Sequence, residues 1–522
     1  MMNELRKTIE TGNLQETENG ALAYSTSGHK LLDMNFKVAS YRSMMDADVI
    51  RDFRDAMAED EVMAAKWMMF LRDIRGGLGE RRSFRLCLKT FLELHTFSNP
   101  NQLPAFLHII PEYGRWDDLI WIYDNIDENY VKNIGEKYVK VTIMLIIKDQ
   151  LSEDIIRMKK GESISLLAKW MPRINTSSEN TKRVARNIAK HFGWSEKTYR
   201  KTISGLNKYI DTVEVKMSAN DWQNIDYEKV ASKANILYKD AFAKHDPIGR
   251  QEYIAKLEKG EASINSSAAF PHDIIHNYLN GSCNRIFKEY DHILEAMWNA
   301  LPNFVQEDDT TLVVCDSSGS MNTNVGNGSL TAREVAYSLA IYFAERAKGE
   351  FKDNFISFSE NPKFIDISGY NSLKDKFNKA VSHSEVANTN IERTMMLILN
   401  TAIKNKIPQE DMPDNILIIS DMEFDQATYC YMDNSGYPTK SLFDGIAEAY
   451  KTMGYKVPRL VFWNVNSRTS GIPIQENELG VALVSGFSPS ICQMVLSSEV
   501  DPWKCLVDML DAPRYKVIED YI

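Results

Sequence analysis

Oxygen-bearing side chains gather at the ends of two predicted strands in the last third of the sequence. The run TLVVCD ends at Asp316, and the loop that it opens, D-x-S-G-S, carries Ser318 and Ser320 at alternate positions. A second apolar run, NILIIS, leads into Asp421, and Thr389 precedes a predicted helix. Oxygen-only ligands favour a hard cation over zinc. The sequence therefore predicts a site for Mg²⁺, or for Mn²⁺ or Ca²⁺, formed by these five residues at one edge of a sheet.

The alternative interpretation of the motif is a polar turn after a buried strand, because Ser, Gly and Asp are common turn formers. A Gly/Asn-rich insert, Thr323 to Ser329, and two further acids, Glu423 and Asp425, bear on which ligand completes the ion's shell. His383 is the only histidine after residue 301. The sequence shows no recognisable nucleophile–base pair, nucleotide-binding loop or catalytic carboxylate dyad. We therefore expect a protein that is not an enzyme.

Two stretches in the first part of the chain concentrate positive charge. The first, RDIRGGLGERRSFR (72–85), contains five arginines: Arg72, Arg75, Arg81, Arg82 and Arg85. Its GGLG lacks the Gly-Lys-Ser/Thr of a nucleotide-binding loop. Two interpretations stay open: a glycine-rich turn that receives phosphate on its backbone N–H groups before a helix at Ser83, or a helix–helix turn with solvated arginines.

The second stretch, residues 169–201, has nine basic residues against Glu179 and Glu196, a net charge of +7. The basic residues are Lys169, Arg173, Lys182, Arg183, Arg186, Lys190, Lys197, Arg200 and Lys201. Trp170, Trp194 and Tyr199 are interleaved with them, and single-stranded nucleic acid is bound by aromatic rings that stack on its bases and cations that neutralise its phosphates. The alternative is a solvated basic face above core tryptophans.

The sequence HDIIH (272–276) places two histidines four residues apart, as in the helices of zinc proteases. Its second position is Asp instead of the Glu that serves as general base, and no third ligand is apparent. We interpret it as a capped helix start with partly buried imidazoles.

The elements that must position these residues change character near Leu301. Before it, apolar residues three or four apart predict helices over 46–74, 83–95, 117–126 and 139–159, typical of a HEAT-like stack. After it, short apolar runs at 311–316, 355–359, 363–368, 415–421, 459–465 and 481–486 alternate with helices near 331–348, 390–405 and 441–454. This alternation predicts a doubly wound, mostly parallel α/β sheet. We expect an N-terminal extension (1–45), an all-α domain (46–300) and an α/β domain (301–522).

The composition is that of a globular chain, with 44% hydrophobic and 25% charged residues among 522, enough for two or three folded units. With no signal-peptide pattern and no apolar run long enough to span a bilayer, we expect a cytoplasmic protein without membrane contact. The six cysteines lack metal-site spacing and are expected to be free, mostly buried thiols.

Residues 301–522 carry the whole formal net charge of −11, so the first part is neutral in sum despite its basic stretches.

The D-x-S-G-S loop, a lone threonine before a middle helix and an aspartate after the fourth strand resemble the metal-ion-dependent adhesion site (MIDAS) of von Willebrand A domains. The resemblance covers about residues 305–522 and includes all five predicted ligand positions. It implies a Rossmann-like fold in which Ser318 and Ser320 contact the ion directly, while Asp316 and Asp421 act mainly through water. Thr389 would bind directly or through water, according to whether an acidic ligand is present.

Blocks between residues 45 and 290, among them FLRDIRGGLGERRSFR, IPEYGRWDDLI, LLAKWMPRINTSS and FAKHD, resemble a family found in plants, fungi and large phages. The arrangement of that family is similar to that of the Ro (TROVE) ribonucleoproteins. The Ro resemblance implies a ring of helical repeats whose basic surface grips small structured RNA and single-stranded ends. The leading hypothesis is therefore a non-enzymatic RNA-binding protein. A metal-dependent adaptor for an acidic protein partner and a phage structural or assembly component are the alternatives.

Overall fold

The computed structural model describes residues 14–16, 22–127, 136–279, 286, 288–305, 310–358, 362–382, 391–423, 442–467, 481–488 and 501–522. Up to residue 300 its elements are β1 (Leu14–Glu16), β2 (Leu22–Tyr24), α1 (Lys30–Phe36), α2 (Asp46–Glu59), α3 (Glu61–Arg72), α4 (Arg82–Leu94), α5 (Gln102–Tyr113), α6 (Trp116–Asn125), α7 (Glu136–Lys160), α8 (Leu167–Trp170), α9 (Glu179–His191), α10 (Glu196–Ile210), α11 (Val213–Ser218), α12 (Ser232–Leu237), α13 (Lys239–His245), α14 (Pro247–Glu258), α15 (Pro271–Leu279) and α16 (His292–Asn299). After it come β3 (Thr311–Asp316), α17 (Ala332–Arg346), β4 (Asn354–Phe358), β5 (Lys363–Asp366), α18 (Leu373–Val381), α19 (Ile391–Asn405), β6 (Asn415–Ser420), α20 (Leu442–Thr452), β7 (Arg459–Asn464), β8 (Val481–Ser485), α21 (Pro502–Leu510) and α22 (Pro513–Lys516). Within the described ranges, no helix combines the length and the apolar character that crossing a bilayer requires.

The chain divides into two compact units. The unit formed by residues 49–268 and 510–522 consists mainly of helices. We call it the helical unit. Its helices are amphipathic: α9, for example, buries Val184, Ala185, Ile188 and Ala189 along one stripe. Ser178 caps the start of α9 by accepting a hydrogen bond from Thr181 N. Packing on that stripe leaves the basic residues of α9 on the solvent side.

The long helix predicted over 46–74 is two helices, because Asp60 interrupts it. Asp60 has an extended backbone (φ −152°, ψ 104°), and its side chain accepts a hydrogen bond from Met63 N at the start of α3. Asp is a strong N-cap residue and competes with the helical backbone for its own hydrogen bonds, so it begins a new helix inside an otherwise continuous apolar pattern.

The second unit, residues 1–48 and 269–509, is built around a sheet of six strands in the order β5-β4-β3-β6-β7-β8; we call it the sheet unit. Its strands are parallel except β5, which pairs with β4 in antiparallel orientation. All six residues of β3 are buried, and α17, with thirteen of its fifteen residues buried, packs against β3, β4 and β6. A helical region followed by a mixed α/β sheet is the fold class that the sequence predicts.

The limits of the compact units differ from the predicted domain limits in three places. Residues 30–40 belong to the sheet unit, because Phe36 O accepts a hydrogen bond from Asn464 Nδ2 and Ala39 N donates to Ser485 Oγ. The segment 269–300 also belongs there, with α15 packed on α17. The last thirteen residues belong to the helical unit, where Arg514 pairs with the fully buried Asp73. The contacts of Phe36, Ala39 and Arg514 join residues 428, 446 and 441 positions apart, so local patterns do not reveal them.

Candidate metal centre and nucleic-acid interface

The predicted metal-binding loop starts where β3 ends. Asp316, Ser317 and Ser318 are buried there, and a short 3-10 turn follows from Gly319. Ser318 Oγ and Ser320 Oγ lie 2.8 Å apart, and Ser318 N donates a hydrogen bond of 2.8 Å to Asp316 Oδ1. The loop therefore gathers one carboxylate and two hydroxyls, as the alternate spacing predicts.

Ser420, which the sequence reasoning missed, holds the second carboxylate oxygen of Asp316. Ser420 ends β6, the strand next to β3, and its Oγ donates to Asp316 Oδ2 over 2.6 Å. Ser420 Oγ also accepts a hydrogen bond of 3.0 Å from Met422 N. Both oxygens of Asp316 thus have a donor within the protein, which fixes the orientation of the carboxylate. A serine at the end of an apolar strand gave no signal for this contact.

Asp421 supplies a second carboxylate at the same edge of the sheet. It follows β6 directly and is fully buried, and Glu423, also fully buried, donates its backbone N–H to Asp421 Oδ1 over 3.4 Å. Because β3 and β6 are adjacent parallel strands, Asp316 and Asp421 end neighbouring strands. Thr389 and Asp425 lie outside the described residues, so the fifth predicted ligand stays a prediction.

The Gly/Asn-rich insert, Thr323 to Ser329, is a closed turn beside this loop. Val325 N donates to Leu330 O over 2.8 Å, and Ala332 N donates to Thr323 O over 3.0 Å. Thr323 Oγ1 donates to Ser320 O and accepts from Asn466 Nδ2, a residue that follows β7. The insert is therefore anchored to the metal-binding loop on one side and to the β7 edge on the other.

The donor chemistry of this edge fits a hard divalent cation. Its donors are two carboxylates and two neutral hydroxyls, all oxygen, which suit Mg²⁺ or Mn²⁺ better than zinc. Among the described residues, no group of three His, Cys, Asp or Glu side chains is placed to hold a metal ion, so a site rich in His and Cys ligands is not an alternative there. Of the six cysteines, Cys87, Cys315 and Cys505 are buried thiols outside any disulfide, as expected, and the other three lie outside the described ranges.

The first basic stretch is largely structural. Arg72 is only 2% exposed, and its Nε donates to the fully buried Asp118 over 2.8 Å. Arg85 donates to Asp118 and, through NH2, to Asp117 over 2.8 Å. Arg72 and Arg85 are thus already neutralised by carboxylates of α6, which makes them less available to RNA than the sequence suggests, and RNA binding by these two residues stays a prediction. The exposed members of the stretch are Arg75, Arg81 and Arg82.

The GGLG turn does not offer its backbone to a phosphate. Gly77 N and Gly79 N both donate to Asp73 O over 3.1 Å, Leu78 N donates to Phe70 O, and Glu80 N donates to Leu71 O. Each of these amides therefore satisfies a carbonyl at the end of α3. Of the two interpretations of this stretch, the helix–helix turn is the one that the structure supports.

Four members of the second basic stretch are paired with carboxylates. Lys169 pairs with Glu214, Lys182 with Glu179, Arg183 with Asp124, and Arg186 with Glu196, at 2.6 to 3.3 Å. The hydrogen bond from Lys182 lowers the pKa of Glu179, as expected for a carboxylate beside a cation. These four residues are less available to an external phosphate than their number suggests.

Five basic residues of the stretch remain exposed with no carboxylate of the described chain within ion-pair distance: Arg173, Lys190, Lys197, Arg200 and Lys201. We call them the free basic group. Arg173 and Arg200 line a cleft of about 190 Å³, together with Asn175, Tyr199 and Ser204. Arg200 NH1 also donates to Asn175 Oδ1 at 3.4 Å. Ile174 and Ile203 also line the cleft, which is therefore mixed polar and apolar, carries two arginines and is open to solvent.

The aromatic residues interleaved with the second basic stretch, Trp170, Trp194 and Tyr199, are buried or half-buried. Tyr199 is 1% exposed and its hydroxyl donates to Pro172 O, so burial raises its pKa and its ring is closed to base stacking. Trp170 and Trp194 are half-buried, and Arg115 lies 4.8 Å above the Trp170 ring. A nucleic acid at this surface would be held mainly through its phosphates.

The histidines of HDIIH lie on α15. His272 is buried, whereas His276 is half-buried and hydrogen-bonds to Glu334 and Ser329 through its two ring nitrogens. With both nitrogens of His276 engaged by protein side chains, the helix is the capped, partly buried segment that the sequence indicates.

Comparison with known proteins gives two family matches. Residues 310–505 match the Domain of unknown function (DUF7788), and residues 194–310 match the Domain of unknown function (DUF2828). The two ranges meet one residue before β3, so the metal-binding loop falls within the first family and α10 within the second.

A relative with a long match is "Uncharacterized protein L728" of Acanthamoeba polyphaga mimivirus, which is 28% identical over 526 residues, covering 96% of this chain and 87% of that protein. Among solved structures, the chain is similar to the crystal structure of the Deinococcus radiodurans Ro (RSR) protein, with 12% identity and a TM-score of 0.45 over 88% of this chain and 92% of the other.

Proposed function

We propose that the protein is an RNA-binding protein of the Ro type, which grips small structured RNA or single-stranded ends through its helical unit, and that this RNA binding is non-enzymatic. The observation that carries the proposal is the free basic group, five exposed cations with no carboxylate of the described chain within ion-pair distance. Two of the five, Arg173 and Arg200, line one cleft. Uncompensated cations on one surface attract a polyanion and release its counterions on binding. The N-terminal blocks resemble a family whose arrangement is similar to that of the Ro ribonucleoproteins, and this resemblance favours RNA as that polyanion.

The pairing pattern tells which basic residues would contact RNA. Arg183 is a paired cation, because its NH2 lies 2.6 Å from Asp124 Oδ1. Its binding to a phosphate would contribute less free energy, because Asp124 already neutralises part of its charge. Arg173 and Arg200 have no such competitor among the described residues, and both line one cleft. Arginine binds phosphate with a planar fork of donors, so these two residues are the strongest expected contacts.

The test is a salt series of RNA binding by full-length variants. Replacing Arg173 and Arg200 together by Gln removes two expected phosphate contacts, and each contact contributes about 0.7 to the slope of log affinity against log salt for single strands. The slope should therefore fall by about 1.4, and affinity at 0.15 M salt should drop roughly tenfold. Lys159→Gln with Lys160→Gln removes two exposed charges at the end of α7 and is the matched control.

Fluorescence anisotropy with a labelled RNA hairpin that carries a single-stranded tail measures both quantities. Equal losses in the two double variants would contradict a binding surface at the free basic group. Wild-type affinity that does not depend on salt would contradict RNA binding through phosphates altogether.

A second candidate function is metal-dependent binding of an acidic protein ligand by the sheet unit. It is favoured by the convergence of Asp316, Ser318, Ser320 and Asp421 at one edge, with Ser318 and Ser320 oxygens 2.8 Å apart. These residues would hold Mg²⁺ or Mn²⁺, and Ser420 would keep Asp316 in place. An ion held partly by neutral hydroxyls retains enough charge to attract a carboxylate of a partner.

Titration calorimetry with Mn²⁺ tests this candidate. Asp421→Asn preserves the shape of the side chain but removes its charge, and should weaken Mn²⁺ binding by roughly tenfold or more. Asp414→Asn, at the opposite end of β6, should leave the affinity unchanged. Equal Mn²⁺ affinity in wild type and Asp421→Asn would contradict the proposed metal site.

A further inference from the structure

A histidine on one helix of the sheet unit joins two polar side chains near the start of another through two hydrogen bonds. Ser329 Oγ lies 3.2 Å from His276 Nε2, and His276 Nδ1 lies 2.5 Å from Glu334 Oε2. A hydroxyl on one ring nitrogen and a carboxylate on the other is the arrangement by which a histidine activates a nucleophile. His276 lies 53 positions before Ser329 and 58 before Glu334, so no local sequence motif contains all three residues.

The histidine and the carboxylate stand on packed helices. His276 is on α15, which packs against α17, and Glu334 is in the first turn of α17, whose start is capped by Thr331 Oγ1 accepting from Glu334 N over 3.2 Å. Glu334 is only 9% exposed. Ser329 is exposed at the end of the insert turn. The base and its positioning carboxylate are therefore rigid, and the hydroxyl is open to a substrate.

The protonation states follow from these contacts. When Nδ1 carries the proton that it donates to Glu334, the lone pair of Nε2 faces the hydroxyl of Ser329. The hydrogen bond to Glu334 raises the pKa of His276, burial opposes this, and the charges of Glu334 and Asp273 add to the rise. Glu334 therefore stabilises the imidazolium that forms when His276 accepts a proton.

Backbone donors for a developing oxyanion are present beside Ser329. Within the described part of the chain, the amides of residues 327–330 donate no hydrogen bond. Gly328 stands in open space, since a Cβ built on it would meet a backbone atom only at 4.0 Å. We expect one of these amides to donate to an oxygen of a group bound at Ser329.

We propose that Ser329, His276 and Glu334 form a nucleophile–base triad that transfers the acyl group of small carboxylic esters. Ser329 Oγ attacks the carbonyl carbon while its proton passes to His276 Nε2. The carbon–oxygen bond to the alcohol then breaks, and the alcohol leaves with that proton. Water, deprotonated by His276, attacks the acyl-serine, so that a carboxylic acid is released and Ser329 regains its proton. In this scheme Glu334 is a positioning residue.

The competing account is a structural one, in which the His276–Glu334 pair only ties α15 to α17. That account gives no role to the exposed hydroxyl of Ser329 on the second nitrogen. The two accounts therefore differ in the reactivity of Ser329, which can be measured directly.

The test is labelling of the full-length protein with a fluorophosphonate probe, in which the serine oxygen replaces fluoride on phosphorus. Mass spectrometry of peptides should find one adduct, on Ser329, and Ser329→Ala should lose it. Ser177→Ala, which removes another exposed serine, should label like wild type. His276→Gln should slow labelling by roughly 10² to 10⁴ fold, the usual contribution of a positioned base.

Hydrolysis of p-nitrophenyl acetate gives the pH dependence. The rate should rise with pH through the pKa of His276, and Glu334→Gln should move this rise to lower pH because it removes the charge that raises that pKa. An unchanged pH profile in Glu334→Gln, an unlabelled wild type or an adduct on another residue would overturn the proposal. So would hydrolysis that persists in Ser329→Ala and disappears with EDTA, since it would belong to a bound ion.

Discussion

Asp118 should be among the most costly residues to remove from the helical unit. It is fully buried and accepts hydrogen bonds from Arg72 Nε (2.8 Å), Arg85 Nε (2.7 Å) and Arg115 N (3.0 Å). Asp118→Ala would leave the guanidinium of Arg72, 3% exposed, buried without its ionic partner. Breaking a buried pair in this way costs about 3 to 5 kcal/mol, because the remaining charge cannot regain its hydration.

The adjacent Asp117 provides a matched control. Its side chain is 20% exposed, it pairs with Arg85 at 2.8 Å, and Arg85 would keep Asp118 as a partner if Asp117 were removed. Asp117→Ala should therefore cost only about 1 kcal/mol, the usual value of an ion pair near the surface.

Calorimetric melting and hydrogen exchange read by mass spectrometry measure the difference. At about 2 to 4 °C per kcal/mol for a unit of this size, Asp118→Ala should lower the melting temperature of the helical unit by roughly 6 to 20 °C. Exchange should rise in peptides from α3, α4 and α6, while the β3 and β6 peptides stay protected. A melting temperature within about 1 °C of wild type would refute the reasoning, as would equal losses for the two variants.

Two further predictions concern the turn after α3 and the α15–α17 contact. Gly77→Ala should lower the melting temperature strongly, since its Cβ would meet Phe70 O at 2.1 Å, whereas Gly76→Ala meets nothing closer than 3.4 Å and should be tolerated; similar melting of both variants would contradict the close approach. The pKa of His276 is raised in the folded protein above its ordinary value of 6.5, so its contact with Glu334 stabilises the sheet unit fully below about pH 6.5 and loses that effect as pH rises through the folded pKa. Melting of the sheet unit at pH 6 and pH 8 should show this loss, and Glu334→Gln should reduce the difference between the two temperatures.

The alternation of short apolar runs with helical segments predicts the sheet unit closely. Predicted and observed limits of β3 agree at both ends, and those of β6 and β7 differ by one residue. Buried strands of a parallel sheet are continuous apolar runs. The end of such a strand can therefore be predicted where a polar residue such as Asp316 or Asp421 interrupts the run. The D-x-S-G-S loop could be placed for the same reason, because its position depends only on where β3 stops.

Contacts between distant positions could not be predicted. Ser420 and Asp316 are 104 residues apart, and nothing local to either residue shows that they share a hydrogen bond. The same holds for Arg72, whose partner Asp118 lies 46 residues away on another helix. Charge counted along the sequence therefore identified where cations are concentrated, and only the fold shows which of them are already neutralised.

This distinction limits the electrostatic strength of the proposed RNA surface. The second basic stretch has nine cations, and four of them face Asp124, Glu179, Glu196 or Glu214. Five cations remain for a polyanion, and at about 0.7 per contact they allow a salt slope of roughly 3.5 for single-stranded RNA. A wild-type slope well above this value would require phosphate contacts outside the free basic group, and the exposed Arg75 and Arg81 of the first stretch would be the first residues to test.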